Sequence, residues 1–218
     1  MPIAIRHTLQ PRKTPVQARS AATVDAILQA AIQVLVAVGK ERLTTTLVAR
    51  RAGVSVGTLY QYFPNKSALL QACLRRHIEQ IHHAMERACT QYRSAGLLEM
   101  GTGLVAAYLE AKMRNAKESA TLYAVSSDVE GAAIVRTNGE RVLKAVAALF
   151  ATAQEGLAKD PELVASVVLA AMNGVARRAL EAKSPERALV PLRGELVALV
   201  HGYLRSCAAS RILESDLR

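Results

Sequence analysis

Aromatic side chains are scarce in this 218-residue chain: they make up 4% of it, and tryptophan is absent. Alanine, leucine and valine must therefore fill the interior, which favours helices packed on helices. Cysteine is nearly missing too. Cys73, Cys89 and Cys207 are odd in number and lack CxxC spacing, which excludes a disulfide framework and points to a reducing, cytoplasmic setting. The first 22 residues contain no apolar segment of the signal-peptide kind, and no run approaches the roughly 20 apolar residues of a membrane span. Neither a basic amphipathic helix nor a lipidation signal is present, so no membrane partner is expected. Strand patterning, internal repeats and low-complexity tracts are also lacking.

Acidic residues are what the N-terminal third lacks. Residues 1–66 carry nine Lys/Arg against Asp25 and Glu41 alone, whereas the remaining 152 residues carry 19 basic and 16 acidic side chains. Most of the net charge of +10 therefore sits at one end. A basic head on a near-neutral body is the footprint of a polyanionic partner. Elsewhere the composition, 51% hydrophobic and 21% charged, is that of a globular chain.

What is present reads as helix throughout, about nine in number. A basic arm (1–20) with Pro2, Pro11 and Pro15 is expected to be flexible. Near Thr23 a helix opens with Ile27, Leu28, Ala31, Val34, Leu35 and Val38 on one face, and Gly39 ends it. Thr45 is the expected N-cap of a short helix through Ala52. Gly53 breaks that helix, and Ser55 caps a third running to about Phe63. Asn65 caps a fourth reaching roughly Tyr92. "SAGLLEMGTG" (94–103) reads as a break before segments near 104–116 and 118–125. Ser127 and Glu130 form a capping box for a helix toward Gly156. Asp160 followed by Pro161 starts a helix to about 182, and the last spans about 191–208.

Residues 45–63 have the layout of a helix-turn-helix: two short helices joined by Gly53, Val54 and Ser55. Ala49 is small where the helices cross, and Val48, Val54, Leu59 and Phe63 can face the first helix. Val56, Gly57, Thr58, Tyr60, Gln61 and Tyr62 are left outside, as suits a helix laid in a major groove. Gln61 can pair with adenine through both amide atoms, Val56 can touch a thymine methyl, and Gly57 lets the backbone approach. Thr45, Thr46, Thr58, Tyr60, Tyr62 and Lys66 suit phosphates, which set register rather than sequence. Ser55, at the start of the reading helix, belongs to the same set. Arg50 and Arg51 are as consistent with solvated charge as with phosphate contact, and a plain solvated helical hairpin is the bland alternative.

The stretch "TTTLVARRAGVSVGTLYQYFPNKSALL" is similar to the N-terminal DNA-binding domain of TetR-family transcriptional regulators, over about residues 20–72. The remaining two-thirds resembles that family in helical layout alone. The resemblance implies an all-α fold with a helix-turn-helix domain (21–66) and a ligand-binding and dimerisation bundle (67–218). It places the recognition helix on 56–62 and a phosphate-binding lysine at Lys66. It also implies a homodimer on an inverted-repeat operator, released by a small molecule, with repression as the regulatory sense.

In the C-terminal body, the helix near 161–182 is apolar on nearly all sides. Together with the last helix it can form an isologous four-helix interface. Met100, Tyr108, Met113, Tyr123, Phe150 and Met172 are the large or adaptable side chains of the middle helices, candidates for a pocket or for ordinary core. Asn173 would anchor a ligand or bond a neighbouring helix. The scarcity of aromatics favours a small lipophilic effector. On helix four, Cys73/His77, Glu79/His83 and His82/Glu86 are spaced four apart, yet point in different directions. Solvated or interfacial surface is therefore preferred to a metal site and to a redox-sensing thiol, since only Arg75, Arg76 and Arg93, nearby in sequence, could lower a cysteine pKa. No cofactor and no catalytic residues are expected: Gly101-x-Gly103 has neither a preceding strand nor a following phosphate-loop lysine. Two alternatives stay open, a DNA-binding architectural or protein-regulated factor without a sensor, and an enzyme.

Overall fold

The computed structural model describes residues 18–126 and 129–209. Among them are nine α-helices and no strand: α1 Ala18–Arg42, α2 Thr45–Ala52, α3 Val56–Tyr62, α4 Lys66–Gln91, α5 Leu97–Met113, α6 Ala116–Ser126, α7 Val129–Phe150, α8 Pro161–Leu180 and α9 Pro185–Cys207. The chain divides into two compact units. One comprises Met1–His77 and Ala120–Ile134, the other Ile78–Ser119 and Val135–Arg218. Residues 1–17 of the expected basic arm and the expected capping box of Ser127 with Glu130 lie outside the described residues or side chains, whereas Ala18–Ser20, expected in the flexible arm, are the start of α1.

In the first unit α1 begins at Ala18, five residues before the expected start, and Gly39 (φ 78, ψ 168) interrupts its path. Ile27, Ala31 and Leu35 form a buried stripe of α1, which packs on α2, where Val48 and Ala49 are buried; Leu59 of α3 is buried as well. Two polar ties add to this packing. Arg51 Nε donates to Gln33 Oε1 at 2.7 Å, and Arg76 of α4 pairs with Asp25 at 3.2 Å. Cys73 is buried against α1, its thiol 3.8 Å from the Leu28 carbonyl.

The second unit has one core, drawn from the C-terminal half of α4 (Ile81, Met85), from α5, from the end of α7 (Val146, Phe150), and from α8 and α9. The expected break at 94–103 is wrong, because α5 already begins at Leu97. Its two glycines serve contact rather than turning. A Cβ on Gly101 would lie 2.7 Å from Leu204 Cδ1, and one on Gly103 would collide with the Tyr92 ring. Glu155 completes the start of this helix: its Oε2 accepts from Leu97 N at 2.9 Å, a carboxylate at a helix N-terminus where Gly96 offers no side chain. His201 of α9 bonds the Thr102 hydroxyl at 2.8 Å and so fastens α9 to α5.

α7 stops at Phe150, short of the expected Gly156, and α9 starts at Pro185 and carries Pro191 within it. Asp160 caps α8 as expected, its Oδ2 accepting from Leu163 N at 2.9 Å. By length and composition, Ser20–Arg42 and Pro161–Leu180 are apolar enough to cross a bilayer, contrary to the expectation from residue runs. Core helices of globular domains pass the same test.

Candidate nucleic-acid interface and effector domain

The turn between α2 and α3 is built locally. Gly53 adopts φ 70, ψ 28, and its N–H closes on the carbonyls of Ala49 and Arg50, which needs a residue free to enter the left-handed region. The N-cap of α2 is Thr44 rather than Thr45: its Oγ1 accepts from Leu47 N at 3.2 Å. A run of three threonines makes the cap ambiguous by one residue, and extended backbone at Thr44 (φ −122, ψ 152) resolves it. Thr45 is thereby released to face α3, where its hydroxyl lies 3.0 Å from that of Tyr60. Ser55 caps α3 as expected, accepting from Thr58 N at 2.9 Å, and the two hydroxyls of Ser55 and Thr58 bond each other at 2.8 Å.

The outward face of this pair holds most of the expected DNA contacts. Thr46, Ser55, Gly57, Tyr60 and Gln61 are exposed, and Thr45, Val56, Thr58, Tyr62 and Lys66 are half-buried. Among the described residues no hydrogen bond engages Gln61, so its amide is available to a base edge. Lys66 opens α4 and donates from Nζ to the Glu41 carbonyl at 3.4 Å, a long bond that phosphate could replace. Arg50 is exposed, whereas Arg51 is the residue tied to Gln33. Leu47, 40% exposed in the first turn of α2, is a surface residue that sequence reasoning misses. It stands next to the core residue Val48, and a single apolar side chain beside a buried one gives no periodic signal of exposure.

Of the candidate pocket residues, Met100, Tyr108, Phe150 and Met172 come together in the core of the second unit. Met113 is half-buried, and Tyr123 belongs to the first unit. Asn173 is exposed yet engaged: its Oδ1 accepts from Tyr108 Oη at 2.5 Å, and its Nδ2 donates to the Leu169 carbonyl at 3.0 Å. Lys112, which no sequence pattern marks, places its Nζ 5.8 Å from the centre of the Tyr108 ring, and burial pushes its ammonium below the usual lysine range.

The histidines of α4 fall into separate environments. His83 is exposed between Glu79 (3.4 Å) and Glu86 (3.5 Å). Arg141 of α7 reaches the same carboxylates at 2.9 and 2.6 Å. His82 is buried, and among the described residues its Nδ1 has no hydrogen-bond partner; burial lowers its pKa, Glu79 opposes that lowering and the nearby Arg141 adds to it. Burial and the neighbouring Glu86 raise the Cys89 thiol to about 11, so thiolate chemistry at neutral pH is disfavoured. Among the described residues no three His, Cys, Asp or Glu side chains gather in a way that could hold a metal ion.

An all-α chain with a capped helix-turn-helix ahead of a larger helical unit defines a class of bacterial regulator, and two family models locate it. Residues 27–73 match the "Bacterial regulatory proteins, tetR family" model, and residues 97–204 match "Tetracyclin repressor-like, C-terminal domain". The chain belongs to the TetR family.

Among curated proteins it is similar to the HTH-type transcriptional repressor KstR of Mycolicibacterium smegmatis, 44% identical over 62 residues, 28% of this chain and 30% of that protein. The chain thus spans less than a third of the length of the curated relatives it matches first. Among solved structures, a TetR-family protein from Mesorhizobium loti superposes with a TM-score of 0.68 at 21% identity, over 88% of this chain and 100% of that one. SmeT of Stenotrophomonas maltophilia, solved in complex with triclosan, gives 0.66 at 21% identity over 87% and 93%. At such identities the likeness to solved structures is one of fold.

Proposed function

We propose that this chain is a sequence-specific DNA-binding repressor, homodimeric, released from an inverted-repeat operator by a small lipophilic effector bound in its second unit. The observation that carries this reading is the outward face of α3. Its N-cap is satisfied, Leu59 is buried, and Tyr60 and Gln61 project from one exposed side. A rigid short helix presenting an unengaged amide suits base reading in the major groove, and the excess of basic residues in 1–66 suits the phosphates around it. The relatives named as repressors agree with this role. So does SmeT, whose triclosan complex shows that a member of this fold takes a small lipophile.

Dimerisation is supported by the free faces of α8 and α9. Leu163 (54% exposed), Val167, Ala170 and Gly174 recur at helical spacing on α8, as do Leu199 (56%) and Gly202 on α9. A Cβ on Gly174 or Gly202 would meet nothing within 4 Å among the described residues, so these glycines leave room for another helix to approach. Two copies of α3 would then address successive major grooves, about 34–36 Å apart. The effector acts by favouring a dimer whose reading helices no longer match that spacing, with α4, which runs on from the helix-turn-helix, as the lever. The domains are read as 21–66 for DNA and 67–218 for effector and dimer, the location as cytoplasmic, and catalysis as no part of the role.

The test is selection of binding sites by the purified protein from a randomised duplex library at two salt concentrations. An inverted repeat bound with salt-sensitive affinity is expected. Recovery of no common sequence would remove the base-reading role of α3.

A further inference from the structure

We propose that Arg42, in the last turn of α1, is a further anchor of the DNA backbone, its guanidinium gripping a phosphate that flanks the groove read by α3. The assignment rests on the reading of α3 given above and adds to it a contact made from outside the two helices of the helix-turn-helix.

Arg42 owes its position to its neighbours. Gly39 (φ 78, ψ 168) lies in a backbone region that only glycine enters without strain, and it kinks the end of α1. Leu43 N then closes on the Gly39 carbonyl at 3.1 Å, and the Leu43 side chain is buried. Pinned by that side chain, the turn leaves Arg42 exposed, two residues ahead of Thr44, the N-cap of α2. The guanidinium is oriented as well. Its Nε donates to the Val38 carbonyl at 3.1 Å, and among the described residues Nη1 and Nη2 engage no partner. Lys66 comes to the same turn from the start of α4, its Nζ donating at 3.4 Å to the carbonyl of the peptide that joins Glu41 to Arg42.

Neither cation has a counter-charge here. A carbonyl holds a guanidinium or an ammonium in place without neutralising it. The adjacent acid, Glu41, is exposed and forms no ion pair among the described residues, and the other acid of residues 1–66, Asp25, is taken by Arg76. Two uncompensated cations thus converge on one backbone turn, directly before the threonines that suit phosphate. Capping the end of α1 uses the Arg42 Nε alone. The two terminal nitrogens are left as a fork of N–H donors, a geometry that matches two oxygens of one phosphate. Because Arg42 is exposed, little desolvation opposes that contact, and its contribution comes from released counterions.

The experiment compares the full chain with Arg42→Gln and Arg42→Lys on the duplex recovered by site selection and on an unrelated duplex, at about 50 and about 200 mM salt. Copies of the selected duplex, each with one phosphate replaced by a neutral methylphosphonate, then locate the contact. Arg42→Gln should weaken binding to both duplexes alike, and the advantage of the native protein should shrink about threefold per chain between the two salt concentrations. At one phosphate in each half-site the methylphosphonate should weaken the native protein and leave Arg42→Gln unaffected. Arg42→Lys should keep most of the salt dependence, since the charge remains. The circular dichroism spectrum of both variants should be native, because the Val38 carbonyl released by the change lies where water can reach it.

Unchanged affinity of Arg42→Gln at both salt concentrations would overturn the assignment. So would a loss that is equal at both and leaves every methylphosphonate penalty in place, the mark of a helix cap that never touches DNA. In either case a selected inverted repeat leaves the reading of α3 standing. If no sequence is selected but Arg42→Gln still lowers a salt-sensitive affinity for the unrelated duplex, base reading falls and the phosphate contact stands. If the native protein binds no duplex, both fall.

Discussion

Thr45 and Tyr60 meet hydroxyl to hydroxyl at 3.0 Å, joining the first turn of α2 to the middle of α3 across the turn of the helix-turn-helix. Both side chains suit phosphate, and the bond adds a second role, because each holds the other in place before DNA arrives. Because the pair lies at the surface, its contribution to folding is small, about 1 kcal/mol or less. Tyr60→Phe and Thr45→Val should each weaken DNA binding by about 1 kcal/mol, uniformly across operator sequences. The double variant should lose less than the sum of the two, since each single change already breaks the shared bond. Titration of one labelled duplex with the four proteins measures this coupling. Strict additivity would show that the hydroxyls act on DNA independently.

Gln61 and Lys66 should fail in different ways. Gln61 is exposed with its amide unengaged, so Gln61→Ala should relax discrimination at one base pair per half-site by about 1–3 kcal/mol. Lys66 sits at the start of α4, bonded at 3.4 Å to a carbonyl that cannot read sequence. Lys66→Ala should weaken all sites alike and reduce the salt slope by about one per chain. Repeating the site selection and the salt titration on both variants separates the effects. A loss of specificity from Lys66→Ala would exchange the two roles.

How far the sequence could be read depended on the kind of signal. Single-residue devices were legible: Gly53 in the left-handed region, the caps at Ser55, Asn65 and Asp160, and the buried stripe of α1 all follow from side-chain chemistry and helical spacing. Contacts between distant segments were not. Gly101 and Gly103 look like a break in one dimension, and only the approach of Leu204 and Tyr92 shows that they are packing sites inside a helix. Thr44 and Thr45 are chemically identical, so only backbone angles distinguish the cap. Lys112 gave no pattern, because one lysine among apolar residues reads as surface until its neighbours are known.

Those glycines give a paired stability prediction. Gly103→Ala puts a methyl group into the Tyr92 ring and should destabilise by about 1–3 kcal/mol, the usual range for overpacking. Gly139 lies within α7 with nothing among the described residues within 4 Å of an added Cβ, so Gly139→Ala should stabilise by up to about 1 kcal/mol through helix propensity alone. Denaturant unfolding of both variants checks the signs. A neutral Gly103→Ala would mean that Tyr92 swings away at no cost.

His82 makes stability depend on pH. Its folded-state pKa lies below the ordinary value of 6.5, so the unfolded chain binds the extra proton first as the solution is acidified. The contribution is complete above about pH 7.5 and is lost as pH falls through 6.5 toward the folded value. His82→Leu removes this effect, so the drop in melting temperature between about pH 7.5 and about pH 5.5 should be smaller in the variant. His83 stays in place between Glu79 and Glu86 in both proteins, and the difference therefore reports His82. Identical pH profiles would place the His82 imidazole in contact with water.

The free faces of α8 and α9 carry the last prediction. Leu163 and Leu199 are more than half exposed in the single chain, at a cost that two helices would not otherwise bear side by side with spacious glycines. Leu163→Glu and Leu199→Glu should each leave the fold intact, because neither side chain belongs to the core, and should shift the protein from dimer to monomer in sedimentation equilibrium. The same variants should bind a half-site as the parent does at high concentration while losing the advantage of the inverted repeat. This outcome separates dimerisation from folding and from base reading, since α3 is untouched. A Leu163→Glu, Leu199→Glu double variant that remains dimeric would place the interface on another surface, and Gly174 and Gly202 would then stand in solvent without a structural reason.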